Sequence, residues 1–262
     1  MTFKVYEFDR AIVRRPATSV TKGLRATDRG DPSYPGVKRE HDAYVAALRE
    51  AGVQVEVLEP LEEYPDSIFV EDPALVFTTG AIALRPGAAS RAGEAQVMRA
   101  VLARHFKNVL QLPRGLVDGG DVLRTPEKVM IGLSARTNLE GAEALVECLA
   151  EIGLSGVIVK KTPDNALHFK SGTSLLDDVT VLTTRRQSGS GVFSGFKEML
   201  VPPGEETAAN ALRVNDRVLV GADFPATIAL LSKAGFKVVP LPNSEIRKID
   251  AGLSCMSLRW HQ

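Results

Sequence analysis

The sequence predicts an α/β protein in which small sheets close into a ring. Three observations carry this. Apolar runs with strand character come in pairs, amphipathic helices follow most pairs, and the strand–strand–helix–strand unit recurs at roughly fifty-residue spacing. Such repetition favours a closed ring of small sheets over one doubly wound sheet. The chain has 262 residues, 44% of them apolar, which is enough for an ample core. No linker composition interrupts it, so one domain over residues 1–262 is expected.

The elements follow in order. An N-terminal strand and the strand after Cys255 are expected to share the last unit. Asp28–Gly36 is rich in Gly, Pro and Asp and reads as a loop, a candidate lid. Val37–Gly52 reads as a helix with Tyr44, Ala47 and Leu48 on one face, and Val53–Leu58 alternates after it with period two. Asp72–Phe77 and Ala81–Leu84 form a strand pair, followed by a helix over Ala92–Phe106 that groups Val97, Met98, Val101 and Leu102. Asp121–Leu123 pairs with Lys128–Ile131. Thr137-Asn-Leu-Glu140 reads as a capping box; its helix carries Leu145, Val146, Leu149 and Ile152, and Gly153 suits the stop. Ser174–Leu176 pairs with Val179–Leu182. The 185–205 stretch is poorly patterned, with a loop at Gln187–Gly191 and one short helix expected around Gly195–Leu200. Ala211–Val214 pairs with Arg217–Val220, and Pro225–Ala234 is a helix closed by Gly235 and followed by strand-like Phe236–Leu241.

Charge narrows the function classes. Lys plus Arg number 32, and so do Asp plus Glu. Neither a nucleic-acid footprint nor a polybasic membrane patch is visible. The first residues lack a signal-peptide run, and no stretch approaches a membrane-spanning length. Two cysteines make no disulfide framework, so a reducing cytoplasm is expected. Cys148, on an apolar helical face, reads as a core thiol.

Cys255 stands between a small-residue turn and an apolar strand, a suitable place for a nucleophile. Acidic clusters at Asp66–Asp72, Asp118–Asp121 and Asp250 fall where units begin, so all can face the ring's centre. Carboxylates gathered in this way call for a cation, a metal or a cationic substrate, among them. The alternative is that each Asp caps a turn beside glycine. No H-x-x-x-H, C-x-x-C or EF-hand spacing is present, and no metal or cofactor is expected. His168 also opens a unit. A lone strand histidine is more often structural, yet a Cys–His pair is spatially possible. His41 and His105 lie among charged helix residues and are expected at the solvated surface; His261 is expected to fray. Arg91 and Arg136 precede helices, where a guanidinium fork suits anion capture; surface solubility is the plainer reading of either.

Taken together, these segments resemble dimethylarginine dimethylaminohydrolase, of the guanidine-modifying superfamily with the pentein fold, a five-bladed ββαβ propeller. The resemblance runs in order through Lys22–Leu24, Asp66–Asp72, Arg85–Arg91, Asp118–Asp121, Gly132–Asn138, Leu167–Lys170, Ala208–Asn210 and Lys248–Cys255. It implies Cys255 as nucleophile, His168 as acid and base, and Asp118 as the group that orients the histidine. It implies Asp72 against the substrate guanidinium, with Glu71 supporting and Phe69 walling the pocket. Asp66 with the backbone near Leu24 and Ile249 would hold the α-amino group, and Arg91 and Arg136 the α-carboxylate. One departure stands out: some bacterial relatives carry Glu where this chain has Asp118, and the shorter side chain leaves Asp121 able to share the role. The implied reaction releases citrulline and dimethylamine or methylamine from methylated arginine. Arginine deiminase, arginine dihydrolase and amidinotransferase activities share the scaffold, as does a non-catalytic binding protein. A small-molecule substrate is expected, nucleic acid and membrane are not, and a homodimer is allowed without any feature that decides it.

Overall fold

The structure, a computed structural model, describes residues 4–160 and 167–262. Strand β1 (Arg10–Arg14) leads through helix α1 (Tyr34–Glu50) to parallel β2 (Gln54–Leu58). Hairpin β3 (Ala74–Phe77) and β4 (Gly80–Ala83) leads through α2 (Glu94–Leu102) to β5 (Val109–Gln111), parallel to β4. The next unit is β6 (Val122–Arg124), β7 (Val129–Gly132), α3 (Leu139–Glu151) and β8 (Gly156–Val159). It is followed by β9 (Thr173–Leu175), β10 (Thr180–Thr183), one-turn α4 (Arg185–Ser188) and β11 (Lys197–Leu200). Then come β12 (Leu212–Val214), β13 (Arg217–Gly221), α5 (Pro225–Lys233) and β14 (Lys237–Leu241). After one-turn α6 (Ser244–Arg247), β15 (Leu258–Trp260) pairs antiparallel with β1, Arg10 opposite Trp260. Five three-stranded sheets result, each with one antiparallel and one parallel pair. This is the five-bladed ββαβ propeller, and the shared first-and-last blade is as expected.

The helices lie outside and bury one face each. Tyr44, Ala47 and Leu48 of α1 are buried, as are Leu145 and Leu149 of α3 beside the core thiol Cys148. Each of the three fully buried leucines contributes about 1.5–3 kcal/mol. Among the described residues no helix is long and apolar enough to cross a membrane.

Four expectations are corrected. Helix α1 starts at Tyr34, earlier than the apolar pattern indicates, because the Ser33 hydroxyl accepts the Gly36 N–H at 3.2 Å and Pro35 is preset for a first turn. In α3 the cap is Asn138, which accepts the Gly141 N–H at 2.8 Å; the Thr137 hydroxyl instead donates to buried Asp121 at 2.6 Å. The short helix expected at 195–200 is absent. Residues 197–200 are strand β11, because β10 takes a parallel partner there, and the blade's helix shrinks to α4 with Thr184 as cap. His41 is buried rather than solvated, and His105 is half-buried, 2.6 Å from Glu56 and edge-on to Trp260. Charged sequence neighbours hid the inward side of that helix face.

The first strands of the blades, β3, β6, β9, β12 and β15, surround the axis, with β15 packed on β3, and β9 packed on both β6 and β12. Each follows a tight turn: residues 66–73, Gly119–Asp121, Phe169–Gly172, Glu206–Ala209 and Ser254–Met256. Those turns gather at one end of the ring.

Candidate active site

Cys255 lies in the turn ahead of β15 and is buried. Its carbonyl accepts the Glu71 N–H at 3.2 Å, joining the last turn to the first. Asn210, just after the turn ahead of β12, donates Nδ2 to Sγ at 3.7 Å. Its Oδ1 accepts the Ser254 N–H at 3.1 Å, so the amide is held with its donor toward the sulfur. Burial, then the charges of Glu71 and Asp72, push the thiol up to about 11.

His168 immediately precedes the turn ahead of β9. Its Nε2 is 2.9 Å from Asp118 Oδ2, and Asp118 Oδ1 accepts the Gly87 N–H at 2.7 Å. Desolvation opposes a charge on the imidazole, but Asp72, Asp118 and Asp121 outweigh it and raise His168 to about 9. Asp121 does not bond the ring. It accepts the Phe169 N–H at 2.7 Å and the hydroxyls of Ser134 and Thr137, fixing the turn on which the ring stands. Gly120 is required here, since a Cβ would meet His168 Nδ1 at 2.5 Å.

Asp72 is ion-paired with buried Arg91, and its Oδ1 accepts the Gly120 N–H at 3.2 Å. Burial works against its charge, yet Arg91 and His168 hold its carboxyl below the usual range. Arg91 also pairs with Glu94 at 2.7 Å and donates to the carbonyls of Asp66 and Phe69. Asp66 accepts the Leu24 N–H at 2.9 Å, and burial raises its carboxyl. Among the described residues the Arg136 side chain has no hydrogen-bond partner. Asp250, in the left-handed region at φ 51°, accepts the N–H groups of Ala26 and Thr27 and pairs with Arg29 at 2.5 Å. It thereby tethers the start of the candidate lid.

One cavity of about 130 Å³ brings together Leu24, Asp66, Phe69, Asp72, Arg91, Asp118, Arg136, His168, Ile249 and Cys255. Glu71 is the one sequence-named site residue not on that wall. It lies beneath, 2.6 Å from Lys170 and 3.3 Å from Arg259. Sequence reasoning assigned no role to Asn210, Lys170 or Glu94; the first two stand in segments that carry the family resemblance, which was the available signal. Ligand atoms of Asp72, Asp118 and His168 lie within 4.8 Å of one another, a spacing that also suits a metal ion. At neutral pH the arrangement holds a neutral thiol, an imidazolium and acids that attract a cation. A planar cation seated among them draws Cys255 toward thiolate.

The propeller and its cysteine–histidine–carboxylate pocket define the guanidine-modifying class. Residues 57–186 match the family model for arginine deiminase. The chain belongs to the dimethylarginine dimethylaminohydrolase family: it is 37% identical to the N(G),N(G)-dimethylarginine dimethylaminohydrolase of Pseudomonas aeruginosa over 97% of this chain and 100% of that one. The Streptomyces coelicolor protein of that name is 33% identical, with 97% of each chain covered. A P. aeruginosa structure, a cysteine-to-serine mutant complexed with citrulline, superposes with a TM-score of 0.93 at 37% identity, covering 97% of this chain and 100% of that chain. The N-terminal domain of a cyanobacterial arginine dihydrolase has a TM-score of 0.84 at 20% identity over 95% and 96% of the two chains, a likeness of fold.

Proposed function

We propose that this chain hydrolyses Nω,Nω-dimethyl-L-arginine and Nω-methyl-L-arginine to L-citrulline and dimethylamine or methylamine. One observation carries the reading beyond family membership: a single cavity holds a thiol, a carboxylate-flanked imidazole and Asp72, with the Arg136 fork, unpartnered among the described residues, on its wall. A cationic head and an amino-acid tail need both kinds of charge.

In this reading Asp72 holds the guanidinium through charge-assisted hydrogen bonds. Asp66, with the backbone at Leu24 and Ile249, holds the α-amino group, and Arg136 with Arg91 the α-carboxylate. Phe69 walls the pocket and Glu71 supports it from below. The guanidinium charge lowers the thiol, which loses its proton to solvent, and the thiolate Sγ forms a bond to the guanidinium carbon. An amine cannot leave as an anion, so the His168 imidazolium transfers its proton to the departing nitrogen as the C–N bond breaks. A covalent thiouronium remains. Neutral His168 then takes a proton from water, whose oxygen bonds to the same carbon. The C–S bond breaks, and citrulline departs. Asp118 keeps the ring oriented through both proton transfers. Asn210 supports the sulfur whenever it carries charge.

The five blades act as one domain. Both cysteines are free, which supports the reducing cytoplasm as the compartment. Assay of dimethylarginine, monomethylarginine, arginine and agmatine tests the reading. Citrulline from the methylated substrates is expected; ornithine as product, or turnover of arginine alone, would falsify it.

A further inference from the structure

A second cavity, of about 140 Å³, occupies the axis at the opposite end of the ring. Adjacent residues divide between the two spaces: Asp72 and Cys255 face the first, while Glu71 and Ser254 line the second. The wall between them is the layer that holds the Glu71–Lys170 pair. Residues Val5, Tyr6 and Phe8 also line the second space, and Asn215 fixes that segment through bonds to Phe8 N–H at 2.8 Å and Phe8 O at 3.0 Å.

The charge in this cavity does not balance. Four cationic side chains line it: Arg124, Lys170, Arg213 and Arg259. The one carboxylate that lines it among the described residues, Glu71, is already bonded to Lys170 and Arg259. Arg124 and Arg213 have no carboxylate partner among the described residues. Aromatic rings hold them instead: Arg124 lies 5.5 Å from the Phe77 ring, and Arg213 lies 4.9 Å from Tyr6 and 5.6 Å from Phe236. Arg213 Nε donates to the Asn215 carbonyl at 2.6 Å, which leaves its terminal amino groups without an acceptor among the described residues. Ring contact covers the face of a guanidinium and leaves its donor edge open. Burial lowers the Arg124 group, with no acid to offset it.

We propose that this axial cavity binds a small tetrahedral oxyanion of the phosphate type through the guanidinium forks of Arg124 and Arg213. Fork-shaped donors match phosphate oxygens, and a desolvated positive excess favours an anion over water. The space is far larger than the roughly 10–15 Å³ that one water needs. The site is independent of the reaction assigned to the other end.

Thermal unfolding in sodium phosphate, against sodium chloride of equal ionic strength and pH, tests it. A saturable rise in midpoint of about 4 °C is expected for the unaltered chain. Arg124→Met is expected to abolish the rise, and Arg124→Lys, which keeps charge but loses the fork, to retain only part. Arg136→Met is expected to keep it whole, which separates this cavity from the catalytic pocket. If Arg124→Met does not fold, Arg124→Lys decides: an undiminished rise overturns the proposal. So does the absence of any rise in the unaltered chain, or its loss in Arg136→Met alone.

Discussion

The two ends of the propeller axis are made from the same five inner strands and differ in charge: one sets acids against bases, the other holds a surplus of bases. At one end, where the strands begin, Asp66, Asp72 and Asp118 crowd around a thiol and an imidazole. At the other, Arg124, Arg213 and Arg259 stand farther along β6, β12 and β15. The acids come from tight turns, where backbone N–H groups of Leu24, Gly87 and Gly120 satisfy them. The bases come from strands, where ring faces and carbonyls hold them. The difference teaches that a propeller separates two electrostatic environments by a single layer of side chains. Turns concentrate donors that tolerate anions, and strand ends leave long cations room to lie flat.

The sharpest way to break the comparison is at the proposed nucleophile. Cys255→Ser is expected to reduce turnover of methylated arginine by on the order of 10⁴ or more while leaving the melting midpoint little changed. Full activity in that variant would move the chemistry away from this end. His168→Gly is expected to lose about 10²–10⁴ in turnover. It should still form an adduct with a substrate whose leaving group needs little proton help, which mass spectrometry would detect. No adduct with such a substrate would remove the division of labour between the two residues.

Glu71→Gln acts on the dividing layer and so on both ends. It leaves Lys170 and Arg259 without their acid, and a stability loss of about 3 kcal/mol is expected from denaturant unfolding. It also removes the largest charge that raises the Cys255 thiol. Alkylation of Cys255 is therefore expected to reach half its limiting rate at lower pH than in the unaltered chain. An unchanged pH profile would show that Glu71 does not act through the wall.

The smallest effect separates histidines inside and outside this field. His168, raised to about 9, contributes stability below its unfolded value of 6.5 that is lost as pH rises through 9. His41 is lowered to about 4 by burial, and both its nitrogens lack partners among the described residues. Its contribution is present above pH 6.5 and is lost as pH falls through 4. Melting curves against pH should therefore flatten on the alkaline side in His168→Gln and on the acid side in His41→Leu. Flattening on the wrong side in either variant contradicts the assignment.

Most of the fold was legible because it rests on local pattern. Four hairpins announce themselves through paired apolar runs, and the helices at α1, α2, α3 and α5 through apolar faces. The β10–α4–β11 unit was not, because its crossover needs only one helical turn and β11 is set by pairing with β10. The position of each acid, of His168 and of Cys255 ahead of an inner strand was also readable, since every unit begins alike. Contacts between units were not. Nothing local to Asn210 shows that its amide reaches Sγ from a turn 45 residues away. Nor does the pattern around Arg91 show that it is ion-paired with Asp72, or that Glu71 turns to the far side of the wall. Those facts depend on how neighbouring blades meet, which periodicity within one blade does not encode.

The pairing of β15 with β1 has a consequence for synthesis. Arg10 is made early and Trp260 late, yet they face each other in one blade. The growing polypeptide therefore carries an incomplete ring until β15 has cleared the ribosome, and Cys255 belongs to that strand's leading turn. A partly made chain has the acids and the histidine but not the proposed nucleophile. Joining residue 262 to residue 1 and opening the chain at the exposed Pro203–Gly204 turn would reverse that schedule. Such a permutant would place the thiol among the earlier residues to emerge, long before the pocket that restrains it exists.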